Sequence, residues 1–186
     1  MNENLVKARE SKTRQESLDI EKEFVEIYNE ILHFERISLF RDALLIKIPK
    51  EYEDMPQNYA EIKYPMTTRP QIIKTSQDTT INICFSLHNE KFLASDVEET
   101  TQGFMEIIRR IHPTASFFMQ AILPNKIKIG MFDFKVPAID CDAYHIYAFA
   151  SIKSKLLHFA FNAPAAKREM WNPIIIQVLN SIQEGL

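Results

Sequence analysis

Two apolar, aromatic-rich runs near the C-terminus, Tyr144–Ile152 and Leu156–Ala163, are separated only by the polar tripeptide Lys153–Ser154–Lys155. Runs of this kind around a short polar break predict a β-hairpin. A two-residue turn at Lys153–Ser154 sets Phe149 opposite His158, Tyr147 opposite Ala160 and His145 opposite Asn162. Strand side chains alternate between faces, so this register sorts the hairpin into two unlike surfaces. Tyr144, Ile146, Ala148, Ala150, Leu157, Phe159 and Phe161 form a core face. His145, Tyr147, Phe149, His158 and Asn162 form a semi-polar face suited to lining a groove.

Other segments carry weaker versions of the same signals. Leu18, Ile20, Phe24, Ile27, Tyr28, Ile31 and Leu32 recur mostly at three- and four-residue spacings, which predicts an amphipathic helix over Leu18–Phe34 behind a polar lead-in at residues 1–17. Ser17 would cap it, and its apolar stripe would dock on the same chain. Ile37–Phe40 and Ala43–Ile48 flank Arg41–Asp42 and predict a hairpin ended by Pro49. Glu51–Pro56 reads as a loop or short helical turn, and Tyr64–Pro65 and Arg69–Pro70 bracket a second loop. Residues 71–75 and 80–87 predict strands, with Ile81, Ile83, Phe85 and Leu87 on one face. A middle helix is expected from Val97 to Ile111, burying Phe104, Ile107, Ile108 and Ile111. Strands resume at Phe117–Leu123 and Lys126–Val136, the latter with a phase slip beside Gly130 that predicts a bulge. A last helix, about Ala166–Ile182, buries Trp171, Ile174, Ile175, Val178, Leu179 and Ile182. Pro173 belongs in a first helical turn, which would start the regular part near Trp171 or Asn172.

The pattern as a whole predicts an α+β fold: one predominantly antiparallel sheet of about six to eight strands flanked by helices. Residues 1–36 form a lead-in and arm, and residues 37–186 a single domain, which is ordinary for a chain of 186 residues. Composition removes several functions. Only three glycines are present, too few for a phosphate-cradling or dinucleotide loop. The formal charge of −3 sits in residues 1–36, while the remainder is balanced, so no general attraction to nucleic acid is expected. No apolar run approaches membrane-spanning length. Residues 1–17 lack the apolar core of a secretion signal, so none is expected there, and Cys84 and Cys141 both lie in apolar contexts that suit buried free thiols. A cytoplasmic protein, monomeric or weakly dimeric, is expected.

Four stretches resemble the Mog1/PsbP-like superfamily of small α/β/α domains. Leu39–Pro49 is similar to that fold's opening hairpin. Ile81–Leu87 precedes the middle helix as its strand does. Ala148–Ala163 resembles its long closing hairpin, and a tryptophan stands near the start of the last helix. The resemblance covers Ile37–Ile182 and leaves the N-terminal arm as an addition. Its members include a Ran-GTPase-binding nuclear import factor, a photosystem II extrinsic subunit and bacterial domains without assigned function. The resemblance therefore implies an α/β/α sandwich used as a binding scaffold.

The residues carry no catalytic signature. His33, His88, His112, His145 and His158 make no metal-ligand spacing, and neither a paired-cysteine motif nor a nucleophile elbow occurs. No cofactor, metal or catalytic residue is assigned. Asp140 and Asp142 flank Cys141 and would discourage its ionisation. The favoured reading is a noncatalytic protein-binding or adaptor domain, with Tyr64, Arg69, Tyr147 and His158 as contact residues. Lys63, Tyr64 and Arg69 stand on a proline-stiffened loop fit for an acidic peptide or small anion. The alternative is a small hydrolase or isomerase with a pocket near Asp140, Asp142, His145 and His158.

Overall fold

The computed structural model describes residues 18–186. The lead-in expected for residues 1–17, and its Ser17 cap, lie outside the described residues. Twelve strands, β1 to β12, and three helices are present among them. The main sheet has the order β5-β6-β7-β11-β10-β9-β8, and all of its pairings are antiparallel. Its strands are β5 (Glu53–Asp54), β6 (Ile72–Thr75), β7 (Asn82–Lys91), β8 (Ser116–Leu123), β9 (Ile129–Val136), β10 (Ala143–Ile152) and β11 (Lys155–Pro164). The hairpin β10–β11 lies at its centre in the expected register, with Phe149 opposite His158 and His145 opposite Asn162. Lys153 and Ser154 take φ of 51° and 60°, the paired left-handed conformation of a tight two-residue turn.

Two smaller sheets and helix α3 (Arg168–Asn180) close the core face. β3 (Phe34–Leu39) and β4 (Leu44–Pro49) form the expected hairpin, but they pair with β12 (Gln183–Glu184) in a separate three-stranded sheet. Trp171, Ile174, Ile175, Val178 and Leu179 of α3 are all buried in the largest core cluster, together with Ile83, Phe85, Phe159 and Phe161 from the main sheet. Pro173 lies inside α3, which begins three residues before Trp171, so the helix tolerates it beyond its first turn.

The opposite face of the main sheet is covered by α1 (Gln57–Lys63) and α2 (Val97–Ile111). α2 has the expected bounds but a different buried stripe. Val97, Thr101, Met105 and Ile108 are buried, whereas Ile107 and Ile111 are exposed. Gly130 explains the close approach: a Cβ built there would collide with the Thr101 hydroxyl oxygen. The expected bulge is displaced from this glycine. It lies in β8, between Phe117 and Met119 opposite Phe134 and Asp133, while β9 runs regularly. The short helix α1 lies between the two expected loops, in a stretch for which no element was expected.

The N-terminal helix expected over Leu18–Phe34 is not formed. Val25–Ile27 and Glu30–Leu32 are instead strands β1 and β2, joined by Tyr28 and Asn29 at φ of 50° and 66°. Alternation wins over the helical spacing: Val25, Ile27 and Leu32 enter the main core, while Phe24, Tyr28 and Ile31 are exposed. The segment nevertheless docks on its own chain. The Gln177 side chain donates to the Leu18 carbonyl at 2.8 Å and accepts from the Ile20 amide at 3.2 Å. Gln177 thus clamps the entering backbone to α3.

Candidate functional site

α1 and α2 pack on separate clusters of this sheet face, and the strip between them is the candidate site. α1 seats Ala60 and Tyr64 over Ile73 and Cys84. α2 seats Met105 and Ile108 over Phe132, Phe134 and Phe149. Between these clusters, the floor is set by strand register: Tyr147 pairs with Ala160 and Ala160 with Cys84, while Phe149 pairs with His158 and His158 with Ser86. Tyr147, His158, Ala160 and Asn162 are only partly buried. Ala160 has no side chain beyond Cβ, which leaves the centre of this strip recessed as a trough.

A neutral hydrogen-bond network forms one wall. Asn162 Nδ2 donates to the Tyr64 hydroxyl at 2.9 Å, and the Cys84 thiol donates to it at 3.4 Å. Asn82 Nδ2 donates to Asn162 Oδ1 at 2.8 Å, and the Thr75 hydroxyl donates to Asn82 Oδ1 at 2.7 Å. Burial pushes the Cys84 thiol up to about 12. Burial likewise raises Tyr64, with Cys84 adding to the effect, and raises Tyr147. All three keep their protons at neutral pH, so Cys84 is a thiol and not a thiolate nucleophile.

An aromatic stack forms the other wall. The His158 ring lies nearly parallel to Phe149, with centroids 5.0 Å apart at 15°, and Phe104 of α2 approaches it at 5.6 Å. Tyr147 meets the same ring edge-on at 5.2 Å. Burial lowers the His158 pKa to about 4, with His88 contributing, so the imidazole is neutral. Its Nε2 is buried without a hydrogen-bond partner.

Three of the four expected contact residues, Tyr64, Tyr147 and His158, therefore share one sheet face. Arg69 stands apart in the loop after α1, with one guanidinium nitrogen 3.8 Å from Glu61. The anion-binding loop expected at Lys63–Arg69 has other uses for its side chains: Lys63 reaches the Thr79 carbonyl, and Tyr64 packs down onto Cys84. The alternative quartet does not converge. Asp142 is paired with Lys135 at 2.7 Å, Asp140 is exposed, and His145 stacks on Phe134 at 4.9 Å. Cys141, expected to be buried, is exposed and free. Among the described residues, no three His, Cys, Asp or Glu side chains are placed to hold a metal ion.

A second polar cluster lies outside every sequence expectation. Asp133, fully buried in β9, accepts from the Met119 amide at 2.7 Å, the Tyr144 hydroxyl at 2.8 Å, Asn172 Nδ2 at 3.2 Å and Arg168 at 3.4 Å. The Arg168 guanidinium also lies 3.9 Å above the Phe118 ring. The cluster pins the β8 bulge to the start of α3. Its visible signal was a lone acid inside the otherwise apolar run Ile129–Phe134, together with Arg168 and Asn172 one helical turn apart.

No protein-family model matches the chain, and no curated protein matches it by sequence. Solved structures do match. A protein of unknown function from Pseudomonas aeruginosa aligns over 80% of this chain and 95% of its own, at 10% identity and a TM-score of 0.45. The solution structure of cyanobacterial PsbP from Synechocystis sp. PCC 6803 aligns over 83% of this chain and 94% of its own, at 11% identity and a TM-score of 0.59. The antiparallel sheet between helical layers is a PsbP-like α+β fold.

Proposed function

We propose that this chain is a noncatalytic protein-binding domain, working in the cytoplasm, with residues 37–186 as one domain and the preceding arm packed against it. Tyr64, Tyr147 and His158 contribute from the trough, and Arg69 from its flanking loop. One observation carries this reading: every titratable side chain on the trough is held neutral, and none is paired with an activating base. Such a surface can recognise a partner through aromatic area and neutral hydrogen bonds, and its thiol and phenols, which hold their protons, are weak nucleophiles. The exposed free thiol of Cys141 suits a reducing compartment. No helix among the described residues is long and apolar enough to cross a membrane.

Site-specific photo-crosslinking in cells tests the proposal. A photoreactive residue at position 147, on the trough floor, is expected to trap one protein species in stoichiometric yield, whereas the same group at Lys153, in the β10–β11 turn, traps none. A full-length chain that crosslinks equally from both positions, or from neither while remaining monomeric, removes the trough as a protein-binding surface.

A further inference from the structure

A groove of about 870 Å³ lies at the β5 edge of the main sheet, away from the trough floor. It is bounded by the β1–β2 hairpin, the Glu51–Asp54 segment, the start of α1 and the turn at 75–79. Five carboxylates line it, from Glu30, Glu51, Glu53, Asp54 and Asp78, and no lysine or arginine does. Neighbouring side chains satisfy part of this charge. Lys74 pairs with Asp54 at 2.9 Å, His33 lies 2.6 Å from Glu51, and Lys167 acts on Asp78 from further away. Asp78 also accepts from the hydroxyls of Ser76 and Thr80. Glu30 and Glu53 have no ion-pair partner among the described residues, and both are exposed.

An acidic wall alone is only a solvated surface, but the groove contains a second feature. Tyr52 lines it and is 5% exposed, and its hydroxyl is shielded from water without a hydrogen-bond partner. Burial and then the carboxylates of Glu30, Asp78 and Glu51 hold the proton on this phenol. The groove thus combines two exposed carboxylates without ion-pair partners, Glu30 and Glu53, with a phenol donor that lacks an acceptor and that an occupant reaches only when its cover shifts. A bare metal ion or a polyamine supplies positive charge but no acceptor. A peptide supplies both, from its basic side chains and its main-chain carbonyls. Half-exposed Ile31 and Tyr59 on the walls add apolar and π surface for the stems of arginine or lysine.

We propose that this groove binds a short basic peptide segment of a partner protein, with arginine or lysine side chains at Glu30 and Glu53 and a main-chain carbonyl accepting from Tyr52. The surface is separate from the trough, and the proposal does not depend on the trough's role.

The test uses the full chain and a labelled nonapeptide alternating arginine and leucine, followed by fluorescence anisotropy. Saturable binding is expected, weakening as salt rises. The Glu30→Gln/Glu53→Gln double variant should raise Kd about tenfold, and Tyr52→Phe several-fold. Trp171, the sole tryptophan, lies 6.1 Å from the Tyr52 ring, so its emission should shift with the same midpoint. The proposal fails if binding does not saturate by about 1 mM. It also fails if a glutamate–leucine peptide binds equally, or if the double variant binds like the parent. Peptide binding that strengthens sharply once Lys7, Arg9, Lys12 and Arg14 are replaced by Gln would assign the groove to this chain's own N-terminal segment and overturn a partner in trans.

Discussion

The two faces of the β10–β11 hairpin each bury a polar system, and they handle it in opposite ways. On the core face, Asp133 is fully enclosed and collects four donors from a bulge amide, a tyrosine, an asparagine and an arginine. On the other face, Tyr64, Cys84, Asn82 and Asn162 form a neutral network that is partly open, beside a histidine held neutral by burial. A buried carboxylate is sustainable only where nearly every lone pair is met, which makes such a cluster a structural lock. A neutral network costs less to leave incomplete, so it can face a gap between helices and retain capacity for a partner. The difference separates the part of the molecule that holds the layers together from the part available for recognition.

The contrast is most severely tested by removing its lock. Asp133→Ala leaves Arg168, Asn172 and the Met119 amide without their acceptor, and should destabilise the chain by about 3–5 kcal/mol in urea unfolding. A loss below about 1 kcal/mol would show that the cluster is dispensable and dissolve the distinction. Next comes the helix that walls the trough. Gly130→Ala places a methyl against Thr101 and Val97, so the Thr101 side chain or α2 itself must shift, at a cost of about 1–3 kcal/mol. Unchanged stability would mean that α2 is loosely seated.

The histidines sharpen the comparison through pH. His158 and His145 have folded pKa values of about 4, below the ordinary 6.5, because burial disfavours their cations. The unfolded chain therefore binds more protons between these values. Their contribution is complete above about pH 6.5 and is lost as pH falls toward 4, with a slope of up to about 1 kcal/mol per pH unit for each. His158→Phe keeps the stack on Phe149 and should flatten that slope. An unaltered slope would show that His158 reaches solvent. The smallest effect belongs to Arg69→Ala. Its pair with Glu61 is long and part-exposed, so stability should change by less than about 0.5 kcal/mol. A larger loss would make Arg69 a structural residue and withdraw it from the contact set.

The central hairpin was legible to the residue because its two faces differ so strongly in polarity that a one-position slip would bury His145 and expose Phe159. The extent of α2 was legible for a similar reason, since acids open it, arginines close it and a proline follows. The N-terminal segment was misread because Phe24, Ile27, Tyr28 and Ile31 satisfy a helical spacing while Val25 and Ile27 satisfy a strand's. Local pattern could not choose between them. The choice came from the core, which offered pockets for Val25, Ile27 and Leu32 and bound the entering backbone through Gln177, 157 residues from Ile20.

What the sequence determined by itself was therefore the set of strands with unlike faces, the long helix with charged ends, and the scarcity of glycines and ligand spacings. Only the tertiary structure decided which strip of the sheet α1 and α2 would leave between them, which acid would be enclosed, and that Glu30, Glu53 and Tyr52 would line one groove. Those outcomes depend on contacts between residues far apart in the chain. Their energies arise from burial and shared hydrogen bonds that do not exist until the layers close.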